Sequence, residues 1–212
     1  MARSATASAA VDEAVRAVRA STRRRQILDA AVTVMQRTGF HQMSMQALAD
    51  EADVSVGLIY KYFGGKEEIL LATIVGILDA FKDQLQPAMD AAGEDPVERF
   101  VAGYRRYCQI VADNLDAVAL TYRESRTLDH EGRNLIKSLE VETAAPLRIA
   151  IQEGISAGVM NDVDIDVIVF DAMMLAHGWA LKHWYFGSHY SLDSYIDAQT
   201  GVLLRSLLTA PA

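Results

Sequence analysis

The chain has 212 residues, 51% of them hydrophobic, with four prolines, one cysteine and a net charge of −8. That supplies a sizeable core, its Ala, Leu, Val and Met content favours helices over a sandwich or barrel, and a lone Cys108 excludes an internal disulfide and fits a reducing cytoplasm. The charge speaks against nucleic acid only until the chain is divided: residues 1–66 carry nine Lys/Arg against six Asp/Glu and residues 67–212 eleven against twenty-two, so a head of +3 precedes a body of −11.

In chain order, residues 1–20 read as a mobile tail. Asp12 and Glu13 break any run apolar enough for an export signal. Val11, Val15 and Val18 offer the alternative, a backward extension of the first helix. That helix is predicted from Thr22 to Thr38, with Ile27, Ala31, Val34 and Met35 on one face and Gly39 as its stop. Ser44 caps a short helix carrying Met45, Leu48, Ala49 and Ala52. After Asp53-Val54, Ser55 caps a second short helix to Phe63. Gly64-Gly65 ends it, and Lys66-Glu67-Glu68 opens a long helix to about Ala91.

Asp95-Pro96 starts the next helix with cap and N1 proline in order. Helices are then predicted over 96–112, 115–127, 131–157, 164–186 and 192–208. The most apolar stretch, Val163–Phe186, contains Asp164, Asp166, Asp171, His177, Lys182 and His183, too many polar groups to span a bilayer. The fold expected is all-α with about nine helices: a three-helix helix-turn-helix domain over 21–66 and a six-helix body over 67–212.

Two short helices joined by a tight turn and braced by a third form the helix-turn-helix plan. On the second short helix Ile59 and Phe63 face the core at i, i+4, which leaves Val56, Gly57, Tyr60 and Lys61 on the other side. That face is narrow and small at its N-terminal end, the shape a major groove admits. Tyr60 and Tyr62 offer hydroxyls and Lys61 an ammonium. Ser44 and Gln46 are placed to donate to phosphate, and Lys66 at a helix start forms a further anion site. Arg23-Arg24-Arg25 reads either as an arm toward DNA or as solvated charge.

The run Arg25–Ala31 through Gly39-Phe40, then Met45–Ala49, Val54–Phe63 and Lys66–Leu70, resembles the N-terminal domain of TetR-family repressors over about 45 residues. One departure is Asp53, where the family usually has glycine; aspartate tolerates the left-handed conformation better than most residues. By this resemblance Val56, Gly57, Tyr60 and Lys61 fall where family members meet bases or adjacent phosphates, and Ser44, Gln46, Tyr62 and Lys66 where they hold the backbone. It further implies a homodimer on a palindromic double-stranded operator, a small-molecule effector in the body and, as the commoner habit, repression.

For the dimer, the last two helices supply Val167, Phe170, Met174, Gly178 and Leu181 on one side and Tyr195, Val202, Leu203 and Leu207 on the other. The alternative for these residues is intramolecular core. For the effector, Phe100, Tyr104, Tyr107, Tyr122, Met173, Met174, Trp179, Trp184 and Tyr185 offer apolar lining, and Arg105, Arg123 and Arg126 cations at its mouth. That combination suits an acyl-CoA or similar lipid-like metabolite, and the Arg123–Arg126 segment resembles TetR-type regulators of fatty-acid or sterol catabolism. Local salt bridges explain the same arginines equally well.

A helical scaffold using its basic head for protein contact is the other non-catalytic reading. An enzyme is the rival class, but no HExxH, CxxC, GxGxxG, P-loop or GxSxG pattern occurs. His177 and His183 are six residues apart and do not share a helix face for a metal. Cys108, in an apolar helix without a neighbouring histidine, is expected to be a buried thiol. No catalytic residue, cofactor or metal is therefore assigned, and a cytoplasmic protein without membrane contact is expected.

Overall fold

Polar caps set most of the helix starts. Ser44, Ser55, Asp95, Asp129, Asp164 and Ser191 each turn a side-chain oxygen onto a backbone N–H of the first helical turn, which satisfies donors that have no partner inside the helix. The computed structural model describes the backbone from Ala2 to Leu208 and the side chains from Glu13 onward.

Helices α1 (Ala2–Thr38), α2 (Met45–Glu51) and α3 (Val56–Tyr62) are followed by the long α4 (Lys66–Ala91). Then come α5 (Pro96–Asp113), α6 (Leu115–Glu124) with a short 3-10 turn at Ser125–Thr127, α7 (His130–Ser156), α8 (Ile165–Leu181), α9 (His183–His189) and α10 (Leu192–Leu207). The fold is all-α, and the described residues hold no strand beyond an isolated bridge between Met160 and Leu208. The chain divides into two compact units, a head through Thr73 and a body from Ile74.

Two expectations change. Residues from Ala2 to Ala20, read as a mobile tail, are helical backbone continuous with the rest of α1. Extending an existing helix avoids the nucleation cost, and an Ala- and Arg-rich segment propagates it readily. The valine stripe does not drive this: Val15 and Val18 are exposed, and the Val11 side chain lies outside the described residues. The single helix expected over 164–186 is two. Lys182 leaves helical geometry at φ −122°, ψ 27°, and α9 turns away through ring contacts of Trp179 with His183 and of Phe186 with Tyr195.

In the head, Ile27, Ala31, Val34, Met35, Leu48 and Ile59 are wholly buried, with Phe40, Met43 and Phe63 beside them. In the body α5 is central and packs against α7, α8 and α10. It buries Phe100, Tyr104, Tyr107 and Cys108. Gly103 permits the closest approach: a Cβ there would lie 2.8 Å from Leu147 Cδ2 and 2.8 Å from Met89 Sδ. No helix among the described residues is long and apolar enough to cross a membrane.

Candidate nucleic-acid interface and body cavity

The turn between α2 and α3 is held from three directions. Gln26 of α1 donates to the Ala52 carbonyl at 2.6 Å, Arg37 pairs with Glu51 at 3.1 Å, and the Val54 N–H reaches the Ala49 carbonyl at 3.0 Å. Asp53 takes the left-handed conformation at φ +50°, the backbone expected of this turn from the sequence. Ile59 and Phe63 anchor α3 in the core, so its opposite face is fixed by the helical period. That face presents Gly57, Tyr60 and Lys61 to solvent with Val56 and Tyr62 half-buried at its edges, and Tyr60 is 54% exposed.

Gly57 is informative. It has helical backbone, and a Cβ there would meet nothing within 4 Å. The fold therefore does not require glycine, which is a weak helix former.

The flanking candidates are more engaged than the sequence implied. The Ser44 hydroxyl accepts from the Ala47 N–H at 3.0 Å, and the Gln46 amide donates to Asp50 at 2.8 Å. Lys66 donates to the His41 carbonyl at 3.2 Å and lies over the Phe40 ring. Of the three arginines read as an arm, Arg23 donates to Gln26 at 2.8 Å and Arg24 lies over Phe63 at 4.9 Å from the ring centroid.

In the body the expected effector lining separates. Phe100, Tyr104, Met173 and Trp179 are core residues, none of them bordering the cavity described next. Arg105 is held by Asp193 at 2.9 Å and by Asp197, both on α10, and Arg123 pairs with Glu124 at 2.8 Å. Arg126 is exposed on the 3-10 turn. Tyr107 and Tyr122 of the expected set line the cavity, Trp184 and Tyr185 are exposed on α9, and Met174, half exposed, touches it only by accepting the Tyr122 hydroxyl at 3.4 Å.

That cavity, of about 30 Å³, is bounded by Ile74, Ile77, Leu78 and Phe81 of α4, Tyr107 of α5, Val118, Thr121 and Tyr122 of α6, Ile136 and Glu140 of α7, and His177 of α8. Its polar end is a bridge: the Tyr107 hydroxyl is 3.0 Å from His177 Nε2, and the Tyr122 hydroxyl 2.7 Å from Nδ1. Phe81 stacks on Tyr107 at 4.2 Å between centroids. Burial pushes His177 down to about 4 and raises Glu140, because a dry wall disfavours charge. The sequence does not single out His177 or Glu140 for this site: the histidine counts only against a membrane span and as a rejected metal ligand, and the glutamate has no role there. No periodicity distinguishes them. Cys108 is buried, and desolvation pushes its thiol up to about 12, so it is a poor nucleophile.

The candidate dimer residues also divide. Val167, Phe170, Met174 and Val202 are exposed. Tyr195, Leu203 and Leu207 are not: they are buried in the body, and the Tyr195 hydroxyl donates to the Leu175 carbonyl at 2.6 Å. Gly178, read as a close-approach residue for a partner, makes room within the chain, since its Cβ would lie 3.0 Å from that hydroxyl. Leu181, at the end of α8, is half-buried.

Two short capped helices braced by a third, with an open α3 face, define a helix-turn-helix protein carrying a helical body. Residues 27–73 match the family model of bacterial regulatory proteins, tetR family, and residues 93–189 that of the tetracyclin repressor-like C-terminal domain. The HTH-type transcriptional regulator HbdR of Aromatoleum sp. (strain CIB) is 34% identical over 188 residues, 89% of this chain and 82% of its own length. Among solved structures, a tetR-family regulatory protein from Rhodococcus RHA1 has a TM-score of 0.76 at 22% identity, covering 89% of this chain and 98% of its own. AibR, in complex with isovaleryl coenzyme A and operator DNA, has a TM-score of 0.72 at 24% identity, covering 85% and 97%. The chain belongs to the TetR family of bacterial transcriptional regulators; it is a DNA-binding regulator and not an enzyme.

Proposed function

We propose that this protein is a cytoplasmic repressor that binds a palindromic operator as a homodimer and is released by a small, largely apolar effector, an acyl-CoA or similar lipid-like metabolite. The observation that carries the DNA reading is the α3 face. Gly57, with nothing near it in the chain, Tyr60 and Lys61 stand together in solvent, as a helix entering a major groove requires.

One head spans too few base pairs for specificity, so two-fold pairing is needed. Val167, Phe170 and Met174 project from α8 into solvent at i, i+3, i+7, and Val202 projects from α10. An apolar stripe of that kind is the surface a second copy would cover.

The effector reading rests on the cavity. Its present size leaves room for about one water, so an effector has to open it. The α4 wall residues belong to the same continuous helix that begins at Lys66, and pushing that wall outward supplies a route from ligand to head. The bound structure of AibR supports the ligand class by family likeness.

The test is a mobility shift with DNA from upstream of the gene. The protein should retard it as a dimer. Tyr60→Ala and Lys61→Ala should each weaken binding about tenfold or more while the dimer remains. Normal operator binding by both variants would overturn the α3 assignment, and no shift at low salt with any intergenic fragment would overturn the regulator reading.

A further inference from the structure

Within the cavity one polar group is left over. Tyr107, Tyr122 and His177 satisfy one another, and Tyr122 reaches Met174 as well. Glu140 borders the same space, and its carboxyl has no hydrogen bond or ion pair with any described residue. It lies near enough to Tyr107 and Tyr122 to act on both electrostatically, and it shares the cavity wall with apolar side chains that include Ile136 and Val118. A half-buried carboxylate among apolar and aromatic groups lacks the donor or positive charge that would offset its desolvation. The cavity lining contains no Lys or Arg. The cations that the acyl-CoA reading would need lie elsewhere, Arg105 and Arg123 already paired with acids.

We infer that the part of the effector entering this cavity is an apolar group bearing a hydrogen-bond donor, a hydroxyl or an amine, which pairs with Glu140, and that the cavity rejects a carboxylate there. The inference deepens the effector reading above and rests on it. An anionic portion of an effector then stays outside this cavity. Tyr122, the exposed member of the bridge, is the side chain that can move to admit it.

Hexan-1-ol, hexylamine and hexanoate share one apolar chain and differ only at the polar end, so they separate the hydroxyl, amine and carboxylate cases. Binding to the full-length protein is read by ligand-observed NMR at neutral pH and millimolar probe. The alcohol or the amine should bind at least about tenfold more tightly than hexanoate, and Glu140→Gln should remove most of that preference. A cooperative thermal melt of the variant, together with its retained operator shift, shows that it is folded. Hexanoate binding as tightly as both other probes, a preference unchanged in Glu140→Gln, or no binding of any probe would each overturn the inference. Because operator binding is measured on the same samples, loss of the inference with DNA binding intact leaves the regulator reading standing, whereas absent DNA binding in the unmodified protein overturns that reading instead.

Discussion

The Tyr122 hydroxyl lies 2.7 Å from His177 Nδ1, and it also reaches Met174 Sδ at 3.4 Å. A neutral imidazole has one donor and one acceptor. The arrangement that satisfies every partner has Nδ1–H donating to Tyr122, Tyr122 donating to Met174, and Tyr107 donating to Nε2. A side chain on the solvent face of α8 is thereby tied through one histidine to the centre of the body. His177 is neutral across the physiological range because burial lowers it to about 4.

That value fixes a sign for pH dependence. The native histidine stays unprotonated down to about pH 4, while the unfolded chain takes up its proton near pH 6.5. The stability held at neutral pH is therefore lost progressively as pH falls from about 6.5 toward 4. Urea melts at pH 7 and pH 5 should show the native sequence losing about 2 kcal/mol more than His177→Gln over that interval. Equal losses in the two proteins would remove His177 as the cause.

Gly57→Ala separates folding from DNA binding. With helical backbone and nothing within 4 Å of the new Cβ, alanine should stabilise the head by up to about 1 kcal/mol. The same methyl group sits on the face proposed to enter the groove, so operator affinity should fall. Melting temperature and anisotropy on one labelled duplex measure both, and unchanged affinity would place Gly57 off the interface.

Asp53→Gly tests the turn. At φ +50° the aspartate occupies a region that disfavours side chains, and its carboxylate is exposed. Glycine should raise stability by about 0.5–1 kcal/mol, seen as a higher urea midpoint with an unchanged slope. A lower midpoint would mean that the Asp53 side chain contributes a stabilising interaction.

Gly103→Ala probes the body core. The added Cβ would sit 2.8 Å from Leu147 Cδ2 and from Met89 Sδ, closer than atoms pack, so α5 or both neighbours must shift. Overpacking of this kind costs about 1–3 kcal/mol. A melt in which this variant matches the native sequence would show that Met89 and Leu147 repack freely.

Beyond the N-terminal half of α1, the secondary structure of the head was legible in the sequence. Ser44 and Ser55 announce helix starts through their own side chains, Gly39 and Asp53 mark left-handed backbone, and Ile59 with Phe63 decides by period alone which face of α3 is left in solvent. These are local signals, and short-range hydrogen bonds and the helical repeat are enough to express them. The body was legible only as helices. Which side of α8 faces inward depends on what α5, α6 and α10 place against it. Tyr195 and Gly178 thus turned out to serve the same chain, while Val167, Phe170 and Met174 stayed outside. The break at Lys182 has the same origin, since aromatic rings from α8, α9 and α10 meet there. Glu140 and His177 lie 37 positions apart in the numbering, on helices whose apolar patterns look ordinary. Only the packing of five helices around one small cavity makes the first an unpaired carboxyl and the second a neutral bridge, because both properties are set by what surrounds the groups in space.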